Sequence, residues 1–167
     1  KALAKQMGFD FIDLDKYIEK KEVKSIQQIF KKKGELSFRK MEGIALLEVC
    51  KKNNIVIATG GGTPCFLKNM QTILEKGRSI YIKMGAEELK KRLVNQQPQR
   101  PLLNNKSEKE LFDFINYTLL ERKGFYNQAD FIVEGKKIVQ EILDSKDDWV
   151  ELYATKSWLE QYSEYIV

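Results

Sequence analysis

Residues 55–65 read IVIATGGGTPC. Ile55, Val56, Ile57, Ala58 and Thr59 form an apolar, largely β-branched run, the pattern of a strand buried on both faces. The run stops at Gly60, Gly61 and Gly62. Glycine loses more backbone freedom on folding than any other residue, so three in a row mark a place where something approaches the backbone very closely. The stretch is not a phosphate loop of the form G-x-x-x-x-G-K-[ST], a pattern that occurs nowhere in the 167 residues, and it is not G-x-G-x-x-G.

Reading outward, helices and strands alternate. Upstream, KALAKQM has good helix formers, and Gly8 is placed to cap its C-terminus. FDFIDLD (9–15) alternates apolar and acidic residues as a short strand. Residues 16–31 read as short helices broken near Lys24 and Ser25. ELSFRKMEGIALLEVCKK (35–52) is a strong helix with the stripe Phe38, Met41, Ile44, Ala45, Leu46 and Leu47, and Ser37 is its expected cap. Downstream, 67–77 is a helix closed by Gly77, 79–83 a strand and 86–96 a helix. Residues 97–110 form a polar loop, 108–129 a long helix and 130–134 a strand. A closing helix is expected to pack Trp149, Leu152, Trp158 and Leu159. The alternation predicts a parallel α/β sheet with helices on both faces and ligands beyond the C-terminal ends of the strands. Asp13, Asp15 and the glycines fall at such ends.

Composition narrows the chemistry. With no histidine, Ser/His and Cys/His nucleophiles and His-ligated metals are excluded, and acid–base work falls to Asp, Glu, Lys or Tyr. Cys50 and Cys65 make neither a disulfide framework nor a zinc site, so a reducing cytoplasm is expected. No stretch approaches the roughly 20 apolar residues of a membrane span. The net charge of +5, with lysines spread along the chain, reads either as an ordinary lysine-studded surface or as suited to an anionic ligand, and gives little support to a nucleic-acid stripe. A single domain and a monomer are the expectations for this length.

Four groups of residues carry candidate chemistry. Asp13 and Asp15, two apart on an extended segment, point the same way; they read either as a Mg²⁺ and hydroxyl-binding pair or with Asp15 merely capping the next helix. Arg39 and Glu42, i and i+3 on a helix, read either as a surface ion pair or as a Glu holding an Arg fork toward a carboxylate ligand. Arg100, in a Pro-containing loop, is a solvated charge or a lid arginine. Arg122, near a helix C-terminus, has the dipole as its ordinary partner.

Taken together, FIDLD (11–15), SIQQIFKKKGELSFRKME (25–42), IATGGG (57–62), RPLL (100–103), ERKGFY (121–126) and AD (129–130) resemble the shikimate kinase family in order and spacing. The resemblance implies a P-loop NTPase-like three-layer α/β/α fold with a five-stranded parallel sheet ordered 2-3-1-4-5. It implies ATP-dependent phosphorylation of the 3-hydroxyl of shikimate, in chorismate and aromatic amino-acid biosynthesis. It assigns Asp15 to the shikimate hydroxyls and the proton, and Asp13 to Mg²⁺ through water. Arg39 and Arg122 become the clamp on the shikimate carboxylate, with Glu42 orienting Arg39. Gly60, Gly61 and Gly62 line the sugar-like ring, and Arg100 meets ATP. Residues 16–52 become substrate-binding helices, and 95–108 a lid. A nucleotide contact at Lys136 or Lys137 is a further expectation. The family's first, central strand and Walker A loop precede the helix that begins here at Lys1, so they are expected upstream. A polypeptide of these residues alone is then expected to lack kinase activity, and Phe11 and 55–57 to line a gap with unpaired strand edges. A related small-molecule kinase and a non-catalytic shikimate-binding relative are the alternatives.

Overall fold

The computed structural model describes residues 1–93, 106–133 and 151–153. In chain order the elements are α1 (Ala2–Met7), β1 (Asp10–Asp13), α2 (Leu14–Glu22), α3 (Ile26–Val49), β2 (Ile55–Ala58), a 3₁₀ turn (Thr63–Cys65), α4 (Asn69–Lys76), β3 (Ser79–Ile82), α5 (Ala86–Leu93), α6 (Glu108–Tyr126), β4 (Phe131–Val133) and β5 (Glu151–Tyr153). They fall into two compact units, residues 1–83 with 125–167, and residues 84–124.

The first unit holds the sheet, ordered β1-β2-β5-β3-β4. β1 runs parallel to β2 with Phe11 opposite Val56, and β3 runs parallel to β4 with Tyr81 opposite Ile132. The alternation of helix and strand is as the sequence predicts, and Gly8 caps α1 in the left-handed conformation. The centre of the sheet differs from expectation. β5 lies between β2 and β3 and is antiparallel to both, with Leu152 opposite Ala58 and Ile80. The sheet is therefore mixed rather than wholly parallel; β5 pairs with β3 from Ser79 to Tyr81 and with β2 at Ala58, so the expected gap is bridged at the end of β2. Phe11 borders no gap, because β1 pairs with β2 along its length. Leu152 is in a strand and not in a closing helix. Lys136, Lys137, Trp149, Trp158 and Leu159 lie outside the described residues.

The core of this unit joins α2 and α3 to the sheet and α4 through Leu14, Ile18, Ile29, Phe38, Leu46, Ile57 and Ile73. Two caps prepare it. The Ser25 side chain accepts from the Gln28 N–H while the Gln28 side chain accepts from the Ser25 N–H, a capping box that starts α3. Ser37, the expected cap, instead lies inside the second of the two helical runs that make up α3. The break between those runs is Gly34, at φ 74 and ψ 170 with open space where a Cβ would stand. Its glycine is needed for backbone freedom, since an L side chain is strained there. The second unit has its own small core, Leu111 and Ile115 of α6 against Ala86, Leu89 and Leu93.

Candidate active site

α3 sets Arg39 and Glu42 one turn apart on its inner face, and both are buried, at 7% and 1% exposure. Arg39 Nη1 donates to Glu42 Oε2 at 3.0 Å. The other edge of the guanidinium, Nε and Nη2, donates to Glu35 Oε1 at 3.3 and 3.1 Å. The guanidinium carbon lies 4.1 Å from the centre of the Phe66 ring. A charge buried this far is tolerated only when paired and hydrogen-bonded, and the pair is both. The surface-pair reading of Arg39 and Glu42 therefore fails on burial.

The glycines form a turn at the end of β2. The Thr63 N–H donates to the Gly60 carbonyl at 2.8 Å, and the Cys65 N–H to the Gly62 carbonyl at 3.0 Å. Gly62 has an ordinary right-handed conformation, φ −85 and ψ −24, so backbone freedom does not explain it. Space does. A Cβ on Gly62 would stand 2.7 Å from Arg39 Nη1 and 2.8 Å from Nη2. A Cβ on Gly60 would stand 3.6 Å from Asp15 Oδ1 and 3.7 Å from Glu42 Oε1, which is normal contact. The Gly61 carbonyl accepts from the Tyr126 hydroxyl at 2.6 Å. Arg39, Glu42, Asp15 and the turn are thus one cluster within the first unit.

The aspartates differ from their expected geometry. β1 ends at Asp13 and α2 begins at Leu14, so Asp15 stands in the first turn of a helix rather than on the strand. Asp13, not Asp15, is the cap: its Oδ1 accepts from the Lys16 N–H at 3.0 Å. The chain turns between them, so the two carboxylates do not share one extended face. Arg122 lies on α6, within the second unit, and Arg100 lies outside the described residues. Among the described residues there is no group of three or more His, Cys, Asp or Glu arranged to hold a metal, and no helix is long and apolar enough to cross a membrane.

Several members of the cluster were not singled out in the sequence. Thr63 donates its hydroxyl to Glu42 Oε1 at 2.7 Å, and Asn69 Nδ2 donates to the Thr63 carbonyl at 2.9 Å. Glu35 was findable, since it precedes Arg39 by one helical turn. Thr63, Asn69 and Phe66 had no signal beyond closeness to the glycines. Cys50 takes no part: burial pushes its thiol up, away from the thiolate a nucleophile needs.

The sequence model of the family described as shikimate kinase matches residues 1–150. A shikimate kinase of Phocaeicola vulgatus is 41% identical over 150 residues, covering 87% of this chain and 86% of that protein. One from Parabacteroides distasonis is 42% identical over 141 residues, covering 84% and 82%. The crystal structure of shikimate kinase from Bacteroides thetaiotaomicron superposes with a TM-score of 0.76 at 36% identity, covering 87% of this chain and 88% of that one. The Acinetobacter baumannii enzyme, solved in complex with shikimate, gives a TM-score of 0.76 at 30% identity, covering 87% and 84%. By sequence and by fold, the chain belongs to the shikimate kinase family.

Proposed function

We propose that the chain transfers the γ-phosphate of ATP to the 3-hydroxyl of shikimate, with the cluster around Arg39 holding the acceptor. The single observation that carries the acceptor site is the outer edge of Arg39. Nε and Nη2 already grip a carboxylate, that of Glu35, at 3.3 and 3.1 Å, while Nη1 is tied down by buried Glu42. A planar guanidinium with one edge anchored and the other presented is suited to a carboxylate ligand, and shikimate is one. Arg122 is the proposed second cation of that clamp.

Asp15 accepts the hydroxyl hydrogen bonds and takes the proton, and the turn from Gly60 to Gly62 lets the ring lie close to the backbone. Phosphoryl transfer asks mainly for positioning and charge neutralisation, which suits a chain without histidine. Arg100 is the proposed lid arginine of a 95–108 lid, and 16–52 the acceptor-binding helices of one domain spanning the chain. For Mg²⁺ the fit is limited but real. One oxygen of Asp13 is engaged by the helix N–H, and the other takes no hydrogen bond from the described residues. Mg²⁺ keeps several waters and needs few protein oxygens, so Asp13 would hold it through water. When bound with the nucleotide, the ion offsets charge on the phosphates. A monomer acting in the cytoplasm, without nucleic-acid or membrane partners, completes the reading.

Steady-state kinetics of Arg39→Ala test it. The KM for shikimate should rise about 50-fold or more, since truncating one side of a desolvated charge pair costs about 2–5 kcal/mol, with the KM for ATP moving by about twofold at most. Equal losses for both substrates would overturn the clamp.

A further inference from the structure

Glu42 is 1% exposed and Thr63 is fully buried. The carboxylate of Glu42 divides its oxygens between two donors: Oε2 takes Arg39 Nη1 and Oε1 takes the Thr63 hydroxyl at 2.7 Å. An ionised carboxylate only accepts, so a buried one depends on every donor it has. Thr63 is itself fixed at both ends of its backbone. Its N–H is held by the Gly60 carbonyl at 2.8 Å, and its carbonyl accepts from Asn69 Nδ2 at 2.9 Å. Asn69, 4% exposed, reaches it because α3 offers Gly43 at the crossing, where a Cβ would come within 3.1 Å of Asn69 Oδ1. A continuous buried polar column therefore runs from the start of α4, through the glycine turn, to the guanidinium of Arg39.

We infer that Thr63 is a positioning residue for acceptor binding: its hydroxyl, seated on Glu42, fixes the carboxylate that holds Arg39 against Gly62. The inference rests on the reading of Arg39 as the carboxylate clamp. Without the hydroxyl, Glu42 Oε1 has no donor among the described residues. The carboxylate then rotates toward Arg39 to satisfy both oxygens and draws the guanidinium out of its slot. That slot has little slack, because Gly62 approaches within what would be Cβ clash distance on one side and Phe66 lies at 4.1 Å. The effect is on the grip of the acceptor and not on the phosphates.

The test is kinetic, on the full chain, with Thr63→Val (same shape, no donor), Thr63→Ala (smaller, no donor) and Thr63→Ser (donor kept). Both Val and Ala should raise the shikimate KM by roughly 10–100-fold, the scale of one lost hydrogen bond to a charged group, with kcat and the ATP KM within about twofold. Ser should restore the shikimate KM. In a Glu42→Gln background the Val substitution should add little, because the two act through the same bond. A wild-type shikimate KM in both Val and Ala overturns the proposal. So does a uniform loss in kcat and both KM values that Ser does not repair, or a failure of both to fold while Ser folds. Arg39→Ala, run beside them, separates the two readings. If it leaves the shikimate KM unchanged, the clamp itself falls; if it raises the KM and Thr63→Val does not, only the role of Thr63 falls.

Discussion

Two carboxylates in this protein receive almost the same set of donors and have opposite uses. Glu42 takes a threonine hydroxyl at 2.7 Å and a guanidinium at 3.0 Å. Asp130 takes a serine hydroxyl at 2.8 Å, the N–H of the same Ser79 at 2.8 Å and the guanidinium of Arg78 at 3.1 Å. The difference lies in where the arginine stands. The Arg39 side chain is 9% exposed, against 54% for Arg78. Water screens Arg78 and satisfies its remaining donors, so its ion pair contributes little, and the whole group staples the start of β3 to the residue before β4. Arg39 has no such relief. Its charge must be answered by protein or by ligand, and the outer edge answered by half-exposed Glu35 is the edge a ligand can claim. The same chemistry is a fastening at the surface and, in the proposed clamp, a receptor when desolvated.

That contrast can be broken experimentally. Glu42→Ala strands the Arg39 charge and should cost about 3–5 kcal/mol of stability in urea unfolding. Asp130→Ala should cost much less, about 1 kcal/mol with exposure discounted, and leave the shikimate KM untouched. Equal losses would show that burial is not what separates the two groups. A smaller effect sharpens the role of close approach. Gly62→Ala should lose about 1–2 kcal/mol, because the side chain that yields is the movable end of Arg39, and yet raise the shikimate KM about tenfold. Gly60→Ala, whose Cβ has only ordinary contacts within the protein, should leave stability near wild type.

The pH dependence of Asp130 gives a third test. Burial pushes its carboxyl up, but the hydrogen bonds from Ser79 and Arg78 outweigh it and hold the pKa below the usual carboxylate value. A lowered folded pKa means stability that is complete above the unfolded value, near about 4, and is lost as pH falls through the folded one. Asp130→Asn should therefore narrow the gap to wild type as denaturation midpoints are compared at descending pH below about 4. A gap constant down to strong acid would remove that role. The smallest expected effect is at Glu35. In the proposed clamp shikimate displaces Glu35 from Arg39, so Glu35→Gln should lower the shikimate KM about two- to threefold with kcat unchanged. A raised KM would mean that Glu35 orients Arg39 rather than competing for it.

Much of the fold was legible because its signals are local. The strand at 55–58 shows as a β-branched run, α1 ends where Gly8 permits a left-handed residue, and the Arg39–Glu42 spacing lies within one turn of a helix. Where a local signal had two solutions, the reading went astray. Asp13 and Asp15 look equivalent as an i, i+2 pair on a strand, and only the start of α2 between them separates the cap, Asp13, from a first-turn residue, Asp15. Ser37 has a cap's chemistry, but the second helical run has already restarted after the Gly34 break before Ser37 is reached.

By itself the sequence determined the alternating helices and strands from α1 to β4, their order and which charged residues lie one helical turn apart, because these depend on neighbours along the chain. Only the tertiary structure decided that Arg39 and Glu42 are buried, that Thr63 completes Glu42 across 21 positions and that Tyr126 reaches Gly61 across 65. It also decided that β5 enters the sheet antiparallel between β2 and β3. Burial and long-range pairing are set by which surfaces meet when the chain closes on itself. The glycine turn shows both: the three residues announced a close approach, and the packing of α3 supplied the guanidinium that makes it.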